Sequence, residues 1–322
     1  MHMNRRPSAQ RRFLVGACMA LALPGGLACA AETVSVAQAD GSVVVAPRHP
    51  EPVISLDLGA IDTLDALGID VQGVPTLARW SGPLVRYGSD RYLKVGSLFA
   101  PHPEVIEAAA PQLILVGGRS AKSAASLAKL ARTLDMSVEP RALLQGVARN
   151  AAILGKLYSK EDEVARQLQA LHAAIATLRT KARAAGTAMV LLVTGGKLVA
   201  QGPGTRLGFV HDVLGMPAAM TEPGTAVAGR GRSLGKLATA EDIARIDPEW
   251  IFVIDRDQAI GRTDAAPAMQ WLDREPVRRT RAWRHAHVVM LDGFDWYLTG
   301  NAGLGALRRT VQDLDRALSA QP

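Results

Sequence analysis

Apolar positions along the chain fall into two alternating rhythms. Short, largely apolar runs over 43–46, 53–56 and 112–116 predict strands buried in a sheet. The three-to-four spacing of helices runs over 60–67, 104–109 and 123–134, the first ending at Gly68. Strands and helices in alternation with short links predict an α/β sheet. The middle of the chain changes character. Residues 143–158 and 160–185 are rich in Ala, Leu, Gln, Glu, Lys and Arg, with Val164, Leu168, Leu171, Ile175 and Leu178 spaced by three and four. A helix over 160–185 would be about 39 Å long at 1.5 Å per residue. That is longer than one small lobe needs and predicts a rigid strut between two. After Gly186 the alternation restarts, with strands predicted over 189–193, 197–200, 250–254 and 287–291. Helices are predicted over 207–214, 241–246 and 303–318.

The two halves echo one another. Glu104-Val-Ile106 precedes Pro111 by seven residues, and Leu113-Ile-Leu-Val follows; Glu241-Asp-Ile243 precedes Pro248 by seven, and Trp250-Ile-Phe-Val follows. Two similar lobes in tandem are therefore expected. The predicted division is a leader over 1–30, an N-terminal α/β lobe over 31–150, a connecting helix over 151–186 and a C-terminal α/β lobe over 187–322. The length of 322 residues suits two domains, and 48% hydrophobic with 21% charged residues is enough for a full core. Aromatic residues at 4% argue against a base-stacking nucleic-acid binder. Two cysteines make neither a disulfide framework nor a four-thiolate zinc site.

The first 30 residues carry Arg5, Arg6, Arg11 and Arg12 and no acid, then an apolar run from Phe13 to Leu23, then Ala28-Cys29-Ala30. Basic start, apolar middle and small-residue exit form an export signal, too short for a permanent membrane helix. Arg11-Arg12-Phe13-Leu14 hints at twin-arginine export. Lipid attachment at Cys29 is the alternative to a soluble product; Gly26-Leu27-Ala28 lacks a large aliphatic residue three before it, which favours the soluble one. Cleavage after Ala30 removes Cys18 and Cys29, which suits an oxidising compartment. It also leaves 33 of 37 basic residues against 30 acids, so the net charge falls from +7 to +3 and demands no nucleic acid.

Enzyme motifs are weak. Gly202-Pro203-Gly204-Thr205-Arg206-Leu207-Gly208 has the wrong spacing for a dinucleotide loop and reads as a turn opening a helix. Ser126-Leu-Ala-Lys129 stands without the companion motifs of penicillin-recognising enzymes and reads as an exposed helix face. His285 and His287 alternate on a strand, and His211 reads as a buried, hydrogen-bonded core residue. The loops after strands say more. Ligands of open α/β sheets bind beyond the carboxyl ends of strands. There the chain places Arg119, Arg206 and Arg256, and after the last strand Trp296-Tyr297. Arginines converging on a cleft bind anions through charge and planar hydrogen bonds, and stack on rings. Tyr297 offers a hard phenolate oxygen suited to ferric iron.

With these residues in view, the mature chain resembles the class III periplasmic binding proteins, from about Val43 to the C-terminus. More narrowly it resembles the catecholate branch of the ferric-siderophore binders of ABC importers. Gly204-Thr-Arg-Leu-Gly-Phe-Val-His-Asp-Val-Leu-Gly215, Pro248-Glu-Trp-Ile-Phe-Val-Ile-Asp-Arg-Asp-Gln-Ala-Ile-Gly261 and Trp296-Tyr-Leu-Thr-Gly-Asn301 carry the likeness. The resemblance implies two α/β lobes, one long connecting helix and a ligand cleft between the lobes. It implies that Arg119, Arg206 and Arg256 contact the anionic complex, that Tyr297 ligates iron, and that Glu104 and Glu241 meet arginines of an inner-membrane permease. Trp296 is expected to stack on catechol rings. The ligand is a transported ferric siderophore, with no covalent cofactor, no catalytic residue and a monomeric protein. One departure is chemical. Where such proteins carry His-Gly-Lys-Ser, this chain reads Arg230-Gly231-Arg232-Ser233. Arginine stays protonated and ligates no iron; Arg230 would instead add a fourth cation, with His285 or His287 as the remaining ligand candidates. Haem, held by Tyr297 and propionate-binding arginines, is the alternative cargo. A single connecting helix implies a small lobe movement on binding.

Overall fold

The computed structural model describes residues 1–2, 32–220, 226–229 and 232–320. All but the first two residues of the expected leader, Cys29 included, lie outside the described residues, as does Arg230. Strands β1 (Thr33–Ala37) and β2 (Val43–Pro47) form an antiparallel pair. β1 is absent from the sequence expectations although Thr-Val-Ser-Val-Ala alternates, with Val34 and Val36 buried between exposed neighbours.

The first lobe follows: β3 (Val53–Ser55), α1 (Leu58–Ala66), β4 (Gly73–Val74), β5 (Leu93–Lys94), α2 (Pro103–Ala108), β6 (Leu113–Val116), α3 (Ala124–Leu127) and β7 (Arg132–Asp135). Its sheet is parallel throughout, in the order β5-β4-β3-β6-β7. Parallel strands are covered on both faces, which is why β6 is an unbroken Leu-Ile-Leu-Val, wholly buried. The helix expected over 123–134 is a correction. Only α3 forms, one turn long, because Arg132–Asp135 pairs along β6 and buries Leu134 as the edge strand β7. Sheet pairing overrides the helix preference of the alanine-rich stretch.

Helix α4 (Leu143–Leu157) packs on α1 and β1 of this lobe and leads into α5 (Glu161–Ala184). α5 is about 36 Å long at 1.5 Å per residue. Its buried stripe is Val164, Leu171, Ile175, Leu178 and Ala182. Glu161, Asp162 and Glu163 occupy its first turn and Lys181 and Arg183 its last, each sign matched to the helix dipole.

The second lobe holds β8 (Ala188–Thr194), β9 (Lys197–Gln201), α6 (Phe209–Asp212), β10 (Ala226–Gly229), β11 (Arg232–Ala238), α7 (Ala240–Ile246), β12 (Trp250–Asp255) and α8 (Arg256–Ala259). Then come α9 (Ala268–Leu272), α10 (Glu275–Arg278), α11 (Arg281–Arg284), β13 (Val288–Leu291), a π-helical turn (Phe294–Thr299) and α12 (Leu304–Ser319). The sheet order is β10-β11-β9-β8-β12-β13; β8, β12 and β13 are parallel, and the β8–β9–β11–β10 side is antiparallel. The helix expected over 207–214 shrinks to the single turn α6, after which Gly215 (φ 71°) turns the chain and the ring of His211 bonds the Met216 carbonyl at 2.9 Å. Helix α12 packs on α1 and α5, so the end of the chain returns to the first lobe. No described helix is long and apolar enough to cross a membrane.

A candidate anion site caged by arginines

The π-helical turn after β13 presents Tyr297, half-buried, at the carboxyl edge of the second lobe's sheet. Inserted π turns occur often at functional sites because the extra residue re-aims a side chain. Three guanidinium groups surround the Tyr297 ring. The central carbons of Arg119, Arg206 and Arg256 lie 5.5, 5.4 and 5.4 Å from its centroid, inside the range of cation–π attraction. Arg256 donates from Nε to the Tyr297 hydroxyl at 2.9 Å. Arg206 donates to the Tyr297 carbonyl at 2.5 Å. Arg119 reaches across from the loop after β6 in the first lobe and donates to the carbonyls of Leu298 at 2.7 Å and Tyr297 at 2.9 Å. Both lobes therefore contribute to one cationic cage.

Backbone geometry makes these approaches possible. Gly300 ends the π turn with φ 68°, and a Cβ there would sit 2.8 Å from Arg206 Nη2. A Cβ on Gly117 would sit 2.6 Å from Asp57 Oδ2. The rule that ligand residues follow strand carboxyl ends holds for Arg119, Arg256 and Tyr297. Arg206 arrives differently. β9 runs antiparallel to β8, pairing Gln201 with Val190, so its carboxyl end points away from that edge and the loop over 202–208 brings Arg206 back.

Electrostatics sharpen the picture. Burial pushes the Tyr297 phenol up, but the Arg256 hydrogen bond and the fields of Arg256, Arg119 and Arg206 outweigh it, leaving the phenol below its ordinary value. Burial holds Arg119 below the ordinary arginine value. Arg256 is steadied by Asp257, 3% exposed, which accepts from Arg256 Nη1 at 2.9 Å and from the Gly195 amide at 2.6 Å. Asp57 caps α1 by accepting from the Ala60 amide at 2.7 Å. Burial pushes its carboxyl up to about 6, against the cap bond and the charge of Arg119.

Asp57 makes stability depend on pH. Between about pH 4 and 6 the folded protein holds a proton on Asp57 that the unfolded chain releases, so this group's contribution to stability is full below about pH 4 and lost as pH rises through 6. Asp57→Asn keeps the capping oxygen and removes the charge. At pH 7 the variant should melt higher than wild type and bind an anion more tightly, with both differences shrinking as pH falls towards 4. A gap of equal size at both pH values would refute the assignment.

Trp296 differs from expectation. It is 1% exposed and packs edge-on against Phe209 at 5.8 Å, so its indole belongs to the core and stacks on no ligand in this conformation. Tyr297, the next residue of the turn, stays half-buried among the three arginines. Trp80 of the first lobe instead lies at the lobe junction, 6.0 Å from Phe294 of the second.

Behind the cage is a charge cluster that sequence reading missed. Arg309 of α12 binds Asp62 of α1 through Nη2 at 2.7 Å, and Asp295 of the π turn through Nε at 2.8 Å and Nη2 at 2.7 Å. Asp62 also accepts from the Ala306 amide at 2.7 Å. This cluster ties the turn bearing Tyr297 to the first lobe.

Other candidates are occupied or simple. His287 stacks on Trp250 at 4.0 Å and its Nδ1 meets the Glu249 carbonyl, with His285 edge-on to it at 5.7 Å. Among the described residues no group of three acidic, histidine or cysteine side chains is placed to hold a metal. Ser126 and Lys129 are exposed. Glu104 and Glu241 are exposed in the first turns of α2 and α7, each helix preceding a central buried strand of its lobe. Glu241 borders a surface groove with Leu237, Trp271 and Pro276.

Two α/β lobes, a long connecting helix and a polar site where the lobes meet define a substrate-binding protein. The chain belongs to the periplasmic binding protein family, whose profile matches residues 53–293. It is 30% identical over 286 residues to the petrobactin-binding protein YclQ of Bacillus subtilis, covering 87% of this chain and 86% of that protein. The crystal structure of YclQ superposes with a TM-score of 0.81, over 90% of this chain and all of the other. The ferric-anguibactin-binding protein FatB of Vibrio anguillarum is 25% identical over 85% of this chain and 84% of its own length. The periplasmic catecholate-siderophore binding protein VctP of Vibrio cholerae matches at TM-score 0.78 and 26% identity, over 88% and 99% of the two chains. The expected family and two-lobe α/β fold are borne out.

Proposed function

We propose that this protein captures an anionic, catecholate-type ferric siderophore in the periplasm and delivers it to an inner-membrane ABC importer. The convergence of Arg119, Arg206 and Arg256 from both lobes on Tyr297 carries this reading. A ferric tris-catecholate bears about three negative charges. At an effective dielectric of 20, a pair at 4 Å gains about 4 kcal/mol before desolvation. Planar guanidinium groups also stack on catechol rings. The phenol of Tyr297, already below its ordinary value, supplies one oxygen to the iron of the cargo. With arginine at 230 the neighbouring histidine ligand is missing, so complexes that leave iron a single open position, for the Tyr297 oxygen, are favoured over those that leave two. The tetrapyrrole alternative gains nothing from relatives whose names are those of siderophore binders.

Glu104 and Glu241, one exposed on each lobe, are the proposed contacts for permease arginines. The leader is proposed to export a soluble monomer after cleavage near Ala30. The family binds and hands over its ligand rather than transforming it.

Tryptophan fluorescence of the mature protein, titrated with a ferric catecholate and with the iron-free ligand, tests the reading. Saturable quenching by the ferric complex is expected, with Trp80 as the junction reporter. No response to any ferric catecholate would overturn it. In Tyr297→Phe the ferric complex should bind roughly 10- to 100-fold more weakly, the scale of one charge-assisted contact. The visible-band shift that accompanies binding to wild type should also be lost. An unchanged shift would remove Tyr297 from the iron.

A further inference from the structure

Two other arginines of the first lobe stand at the flanks of the cleft. Arg79 follows β4, Arg119 follows β6 and Arg141 follows β7, so along the sheet order β4-β3-β6-β7 the two outer arginines flank Arg119 on either side. Each outer arginine faces a glycine on a second-lobe loop that carries a cage arginine. A Cβ built on Gly261, beyond the helix that begins with Arg256, would lie 3.7 Å from Arg79 Cβ and 3.0 Å from Ala78 Cβ. A Cβ built on Gly204, two residues before Arg206, would lie 3.5 Å from Nε and Nη2 of Arg141. Arg79 and Arg141 are both exposed, and among the described residues neither has a hydrogen-bonding or acidic partner. Acids on the facing loops already have partners: Asp264 is paired with Arg262 at 2.7 Å, Asp257 with Arg256 at 2.9 Å, and Asp212 accepts from the Gly204 amide at 2.9 and 3.0 Å. The lack of a side chain at 204 leaves room beside the Arg141 guanidinium, and at 261 it lets the loop pass close to the backbone that carries Arg79.

We infer that Arg79 and Arg141 are outer anion contacts, one on each flank, for negatively charged groups that a ligand carries outside its iron-binding atoms. This rests on the siderophore reading and adds to it. The inner cage takes the charge of the iron centre, while the outer pair selects ligands bearing a peripheral carboxylate. Exposed guanidinium–carboxylate pairs are each worth ~0.4–1 kcal/mol, which sets the scale of discrimination.

The test uses two probes with the same iron-binding atoms: iron(III) in excess catechol, and iron(III) in excess 3,4-dihydroxybenzoate, whose carboxylates point outward. Both are titrated into the mature wild-type protein and into Arg79→Gln, Arg141→Gln and the double variant, at low and at physiological salt. Each single substitution should weaken the carboxylated complex roughly two- to fivefold and the double roughly four- to twentyfold. The plain catechol complex should bind almost unchanged, and the difference should shrink with added salt. Melting temperatures should match wild type, since both side chains lie on exposed loops. Equal losses for both probes, or no loss for either, would overturn the inference. Failure of wild type to bind either probe would instead strike the carrier reading itself.

Discussion

Arg119→Ala is expected to weaken binding of a ferric catecholate by roughly 30- to 5,000-fold. Arg119 is the cage arginine that comes from the first lobe, and its donors end on the Leu298 and Tyr297 carbonyls of the second. Truncation removes a cation from the ligand's surroundings and takes its donor from the Leu298 carbonyl, while the Tyr297 carbonyl keeps Arg206. Loss of one partner from a buried charge-assisted contact costs about 2–5 kcal/mol, or roughly 30- to 5,000-fold. Charge and shape separate in a second variant. Arg119→Lys keeps the charge but loses the fork that reaches two carbonyls at once, so it should fall between alanine and wild type. Quenching titrations at several salt concentrations read both effects: the alanine variant should show a shallower salt dependence than wild type, the lysine variant a similar one. Unchanged affinity in Arg119→Ala would remove this residue from the site.

Much of this site is visible in the sequence because strands announce their own ends. Leu113–Val116 and residues 250–254 are apolar without interruption, so the residues that follow them fall at a sheet edge. The long helix expected over 160–185 is equally legible, since α5 differs from it by one residue at each end, whereas the connecting segment read as 151–186 also takes in the last turns of α4. What escapes reading depends on distance in the chain or on competition between local and tertiary forces. The alanine-rich stretch before β7 prefers helix by itself, and only the open slot beside β6 makes 132–135 a strand. Trp296 reads like a ligand platform because it neighbours Tyr297, yet its indole packs into the core against Phe209. Arg206 reads as following a strand's carboxyl end and reaches the site by a returning loop instead. Asp62, Asp295 and Arg309 carry no local signal at all, because 247 residues separate the first from the last.

That last cluster carries the largest expected effect on stability. Asp62 is 1% exposed and Asp295 5% exposed, and Arg309 is hydrogen-bonded to both. Arg309→Met preserves most of the volume but strands two buried carboxyl groups. Breaking a buried ion pair from one side costs about 3–5 kcal/mol. At about 2–4 °C per kcal/mol for a chain of this size, melting should fall by roughly 6–20 °C. The pH dependence identifies the cause. Burial already pushes Asp295 up to about 6 against the pull of Arg309. Without the arginine its value rises further, so acidification neutralises the stranded carboxyl and the deficit should narrow from pH 8 to pH 5. Adding Asp62→Asn and Asp295→Asn should restore most of the lost stability. The triple variant buries no unpaired charge, and the side-chain amide oxygen introduced at position 62 can still accept from the Ala306 amide. Affinity gives an independent readout. Asp295 stands two residues before Tyr297, so the single variant should bind the ferric complex more weakly even far below its melting point, as the cage loses its anchor to α1. A melting deficit that stays constant with pH would mean that lost packing, rather than stranded charge, lies behind it.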